Sequence, residues 1–274
     1  MTKIKTFLFA TSIVFTSLLL TYSCANREAE KPFDPTEIET KKSLPEGHKQ
    51  FILNFYPKIE AVNKVVLAKH NEIQAGRSDY NKVMENGSKL EWLNKTSGKY
   101  LLGKDLFHKD LSKAEYEQLI DTLLFRVDII PGKLVMAQAI VESGWGQSKF
   151  AKEINNYFGI HCYKEGCGQP PSGVEDPDFW VKSFPSIDKC IAEYMWILNC
   201  GHAYDGLRKI RRELKNKNES PNAEAMVEGL KKYSQLGDEY ITLLTSIMKN
   251  YLPANLNAYI QHGGKNPEED IIEK

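Results

Sequence analysis

The chain has no excess of either charge: Lys+Arg and Asp+Glu number 36 each among 274 residues. That balance removes the polybasic surface expected of a nucleic-acid binder and leaves a neutral or mixed-charge glycan as a compatible partner. No internal repeat is visible, so the length and the 42% hydrophobic content suit one main globular domain with appendages. A comfortable membrane span is missing too, because the apolar run at residues 7–20 is too short for one. Cysteine is scarce, five in all.

That short run fits an export signal. Lys3 and Lys5 precede it, and Thr21-Tyr22-Ser23-Cys24 closes it in the manner of a bacterial lipobox, with Thr21 in place of the usual Leu. Residues 1–24 are therefore expected to be a lipoprotein signal peptide, with Cys24 lipidated and the protein exported and anchored to a membrane, facing the periplasm or cell surface. Ordinary secretion with cleavage near Ser23 or Ala25 is the alternative. Residues 25–47 carry Pro32, Pro35 and Pro45 and read as a flexible tether. Residues 48–111 form a helical extension, in which Phe51, Ile52, Phe55, Ile59 and Val62 recur at helical spacing and Pro57 is expected to start or kink a helix. One or two short helices over 79–94 and a loop over 95–110 complete it.

The chain is organised around residues 134–151, LVMAQAIVESGWGQSKFA. The run is apolar on nearly every side, which predicts a helix buried all round, entered by Pro131 and ended by a carboxylate, Glu142. Burial and the partial negative charge of a helix C-terminus both disfavour ionisation and raise the Glu142 pKa. Gly144 and Gly146 then let the backbone turn sharply around Trp145. On either side, Ser112 with Glu115 has the spacing of a capping box, residues 149–154 suit a short helix, and β-formers near 157–163 and 179–184 suggest a small hairpin. Ser186 caps a helix stopped at Gly201, residues 207–214 form a basic helix, Asn222 opens another, and Asp238 caps the last. Residues 259–274 are expected to be a disordered tail.

The ordered motifs Ala139-x-x-Glu142-Ser143-x-Trp145-Gly146-x-Ser148, Asn155-Asn156-x-Phe158-Gly159 and Cys162-x-x-x-Gly166-Cys167-Gly168 resemble the Bax-like branch of the bacterial endo-β-N-acetylglucosaminidases. The likeness extends through Ser183-Phe184, Ala203-Tyr204 and Tyr233-Ser234 to Tyr240. It implies an α+β, mostly helical, lysozyme-like catalytic domain over 112–258 with a small β-lobe. It also implies a glycoside hydrolase that cuts the β-1,4 bond after N-acetylglucosamine in peptidoglycan, without a cofactor. A lytic transglycosylase and a non-catalytic wall-binding lipoprotein are the competing readings.

The resemblance makes Glu142 the general acid and Tyr233 a tyrosine lining the cleft. Glu175, Asp176 and Asp178 lie on the segment expected to face Glu142, where Glu175 or Asp178 can supply a second carboxylate; that partner varies within the family, and the substrate's acetamido group can replace it. Trp145 and Tyr157 can stack on sugar faces and Asn156 can bond an N-acetyl group, whereas Phe158 reads as core. Cys162 and Cys167 flank a tight loop and are the expected disulfide in an oxidising compartment. Cys190 and Cys200, about 15 Å apart along one helix, are too distant to bridge. His161, Cys162, Cys167 and His202 fit no common zinc spacing, so no metal is expected.

Overall fold

A computed structural model describes residues 44–265 apart from 172, 175 and 176. The expected signal peptide, the lipidated Cys24, most of the tether and residues 266–274 lie outside the described residues. The fold is a mostly helical α+β arrangement. In chain order it comprises α1 (Glu46–Ser78), α2 (Tyr80–Met84), α3 (Gly87–Lys99), α4 (Lys113–Arg126), α5 (Gly132–Ser143), α6 (Lys149–Ile154) and the strands β1 (His161–Cys162), β2 (Gly168–Gln169) and β3 (Trp180–Lys182). After them come α7 (Ile187–Cys200), α8 (Asp205–Asn216), α9 (Ala223–Met226), α10 (Asp238–Asn250) and α11 (Leu256–Gln261). No helix among the described residues is long and apolar enough to cross a membrane.

Helix α5 is the buried centre: Leu134 to Ala137, Gln138, Ala139 and Ile140 are all within 2% of full burial. It packs against α1, α10 and α9. The 33-residue α1 continues as one helix through Pro57, where a break or kink is the sequence expectation. Proline removes one backbone donor at a cost of about 3 kcal/mol; burial of Ile52, Phe55, Tyr56 and Ile59 on both sides of it offsets that cost. The Asn63 amide then clamps the segment leading into α5, with Nδ2 donating to the Ile130 carbonyl at 2.9 Å and Oδ1 accepting from the Ile130 N–H at 3.2 Å. Further along α1, Ile73 joins a second apolar cluster built from α2, α3, α4 and Cys200. Ser112 and Glu115 form the expected capping box at the start of α4.

The strands make an antiparallel sheet in the order β1-β3-β2, with His161 opposite Val181 and Gly168 opposite Lys182. The Cys162–Cys167 disulfide, with Cα atoms 6.3 Å apart, ties β1 to the approach of β2. Gly168 is required there, since a Cβ would lie 1.9 Å from the Val181 carbonyl oxygen. Cys190 and Cys200 are buried free thiols, each pushed up to about 12 by burial.

The expected small hairpin is a three-stranded sheet, because Gly168–Gln169 pairs with the other edge of β3. Several boundaries also differ from the sequence expectation, α1 already starting at Glu46. Helix α3 runs to Lys99 because Leu90, Leu93, Thr96 and Ser97 are buried along one face. Asp238 sits in the first turn of α10, and Gly237 at φ +54 occupies the cap position without a side-chain bond. A further helix, α11, capped by Asn255, follows where a tail from 259 is expected, held by burial of Leu256 and Tyr259 against the main core.

Candidate active site

Helix α5 ends because Gly144, Trp145 and Gly146 adopt φ of +56, +57 and +74 in succession. Ser143 stabilises this left-handed turn: its Oγ donates to the Ala139 carbonyl at 2.5 Å and accepts from the Gly146 N–H at 2.8 Å. Trp145 at positive φ is strained for a bulky residue and is held by its surroundings. The turn delivers Glu142 into a pocket of tyrosines while leaving it partly open to solvent.

The Glu142 pKa is pushed up to about 7 by burial, and a hydrogen bond from Tyr240 opposes that rise. Tyr240 Oη donates to Glu142 Oε1 at 2.8 Å, and Gln138 Nε2 donates to Tyr240 Oη at 3.2 Å. The Tyr233 and Tyr240 rings stack with centroids 5.4 Å apart, and Tyr194 and Tyr204 pack beside Tyr233. Burial raises all four phenols; the Glu142 charge comes next for Tyr204, Tyr233 and Tyr240, while for Tyr194 the Tyr204 phenol comes before it. Near neutral pH the site therefore holds a carboxyl that can give up a proton, surrounded by phenols that keep theirs.

Among the remaining expected site residues, Tyr233 is buried, and its hydroxyl donates to the Phe158 carbonyl at 3.0 Å rather than to the carboxylate. Asn156 departs from the sugar-binding expectation. It is 2% exposed, with Nδ2 donating to the Ile160 and Lys182 carbonyls and Oδ1 accepting from the N–H groups of Phe158 and Ile160, so the whole amide is spent joining the sheet to the helical body. Trp145 is half-buried, with the His48 ring stacked on it at 3.9 Å and 2° and with Phe51 and Tyr251 at its edges. A sugar would need its other face or the place of His48. Tyr157, also half-buried, packs on Phe51 and Phe55, and Phe158 is core, stacked on Tyr194 at 3.8 Å. Asp178 is exposed, while Glu175 and Asp176 lie outside the described residues.

Sequence reasoning did not find the Tyr240 and Gln138 contacts. A signal for Gln138 was present: it interrupts an apolar run four residues before Glu142, hence one turn back on the same helix face. Two concavities, of about 510 and about 410 Å³, lie elsewhere in the molecule, and neither is lined by Glu142. No group of three or more His, Cys, Asp or Glu side chains among the described residues is placed to hold a metal ion.

The glucosaminidase family profile, described as mannosyl-glycoprotein endo-beta-N-acetylglucosaminidase, matches residues 117–253. Over 130 residues the chain is 38% identical to Protein bax of Escherichia coli (strain K12), a match that covers 47% of this chain and 46% of that protein. The chain thus spans about half the length of the curated relative it matches. No solved structure matches significantly.

Proposed function

The chain belongs to the glucosaminidase family, and on that premise we propose that it is a glycoside hydrolase cutting the β-1,4 bond after N-acetylglucosamine in peptidoglycan, with Glu142 as general acid. One observation carries the assignment of the acid: Glu142 closes the buried α5 with its pKa at about 7 and Tyr240 donating to Oε1. At neutral pH a large fraction is protonated, so the carboxyl can pass its proton to the glycosidic oxygen as the C1–O bond breaks. The carboxylate left behind keeps the Tyr240 hydrogen bond, which favours its charged form.

The positive charge that develops at C1 needs a partner. The substrate's own acetamido oxygen can supply it by attacking C1, in place of a second carboxylate. Asp178 and Glu175 remain the candidates for orienting the water that completes hydrolysis. Tyr233 serves as the pocket wall and holds the Phe158 backbone in place. The same single-acid arrangement also suits lytic transglycosylation, in which a muramic acid hydroxyl replaces water. An exported protein, anchored through Cys24, would meet this substrate outside the cytoplasm.

Digestion of purified sacculi followed by mass spectrometry tests the assignment. New reducing-end N-acetylglucosamine is the expected product, and 1,6-anhydro-muramic ends would identify transglycosylation instead. Glu142→Gln should lower product release by about 10²–10⁴-fold, the usual contribution of a general acid. Release of no soluble fragments by the parental protein would favour a non-catalytic wall binder.

A further inference from the structure

The basic helix α8 is not used by the Glu142 chemistry. Arg208, Arg211, Arg212 and Lys215 recur along it at helical spacing and line one side of the cavity of about 510 Å³. Its other walls come from His70 and Arg77 of α1, Phe125 of α4 and Asp128 in the link before α5. Asp128 precedes the N-terminus of α5 and Glu142 closes the other end, so the cavity and the acid are separated by a helix about 18 Å long.

The five cations are not matched by the carboxylates around them. Arg77 holds Asp121 through both nitrogens at 2.8 and 3.2 Å, Lys215 Nζ and Arg211 Nε share Asp128 at 2.5 and 3.7 Å, and Arg208 pairs with Asp205. Five positive side chains therefore face three negative ones. Burial pushes Arg211 down to about 10 while Asp128 opposes the shift, so the guanidinium remains charged at neutral pH. Arg208 is 1% exposed, and its Nε has no hydrogen-bond partner. Arg212 is exposed, with its guanidinium carbon over the Phe125 ring at 4.0 Å and one 3.5 Å bond to the Asp121 carbonyl. Most of its donors are thus oriented but uncommitted.

We propose that this cavity binds a phosphoryl group, with Arg212 and Lys215 as its donors and the buried Arg208, whose terminal nitrogens are held by the Leu198 carbonyl and Asp205, adding positive charge behind them. Planar guanidinium forks and an ammonium match the several acceptor oxygens of a tetrahedral anion. The cavity as a whole, about 510 Å³ and lined also by Phe125 and Leu124, is larger than one phosphate needs and has room for an esterified portion. The inference stands independently of the Glu142 assignment.

Calorimetric titration of the full chain with inorganic phosphate and with glycerol 3-phosphate, at an ionic strength fixed with sodium chloride, tests it. Saturable one-to-one binding is expected. The double variant Arg212→Gln, Lys215→Gln also removes the ion pair of Lys215 with the buried Asp128, so its thermal midpoint without ligand should fall; titrated at a temperature well below that midpoint, it should lose at least tenfold in affinity. Tighter binding of the ester identifies an esterified ligand, and equal affinities identify free phosphate. Absence of saturable heat with either probe, or parental affinity in the double variant, overturns the proposal.

Discussion

Tyr240, 98 residues along the chain from Glu142, donates its phenolic proton to that carboxylate at 2.8 Å. Two effects meet at this bond. Burial favours the neutral acid, while a donor favours the carboxylate, and burial wins, leaving the pKa at about 7 rather than far above it. A general acid needs both: protonated when the substrate arrives, and stable once the proton has left. Gln138, donating to the Tyr240 oxygen, orients the phenol so that its proton points at Glu142.

Replacing Tyr240 by Phe removes the donor and leaves burial unopposed, so the Glu142 pKa should rise. The basic limb of the pH–rate profile for peptidoglycan digestion should then move to higher pH, while the maximum rate falls because the departing carboxylate is less stable. A limb that stays in place or moves to lower pH would show that Tyr240 does not act on the essential acid.

His48 stacks on the Trp145 face at 3.9 Å, and stacked aromatic pairs contribute about 0.5–1.5 kcal/mol beyond area burial. If Trp145 is a sugar platform, His48→Ala frees it, and chito-oligosaccharide binding measured on the Glu142→Gln background should tighten by roughly threefold to tenfold. Weaker binding would instead make the His48 ring part of the binding wall.

The Cys162–Cys167 bridge closes a loop with a sequence separation of 5, so its effect on the unfolded chain is small, about 2 kcal/mol by loop-closure entropy. Cys162→Ser with Cys167→Ser should lower stability by that order. Hydrogen exchange should accelerate in the sheet residues 161–169 and 180–182 before it does in α5. Uniform acceleration across both would mean that the sheet and helical body unfold as one unit.

Local patterns in the chain were enough to read α5, its glycine-bearing turn, the Ser112 and Ser186 caps, the short α6 and the Cys162–Cys167 pair. Each depends on residues within a few positions of one another. What was not legible depends on partners far apart in sequence. Pro57 breaks no helix because Ile52, Phe55, Tyr56 and Ile59 on both sides of it are buried in the main core, a packing made with residues far along the chain. Tyr233 and Tyr240 are equally plausible partners for Glu142 by type, and only packing shows that the first is bound to the Phe158 carbonyl. Asn156 looks like a sugar ligand until four backbone groups from two segments converge on its amide.

The raised Glu142 pKa also carries a consequence for stability. Taking 4.5 for the unfolded chain and about 7 for the folded one, the native state binds the extra proton between these values. The stabilisation from burying a neutral carboxyl is therefore fully present below about pH 4.5 and is lost as pH rises through about 7. At about 1.36 kcal/mol per unit, the loss is roughly 3 kcal/mol at alkaline pH. Glu142→Gln keeps the shape of the side chain but never has to be buried as a charge. The variant should thus match the parent in denaturant unfolding near pH 4 and exceed it by roughly 2–3 kcal/mol near pH 8, with the gap opening between those limits. Equal stability of the two proteins at both pH values would mean that Glu142 titrates normally in the folded protein, and the acid would have to be sought elsewhere.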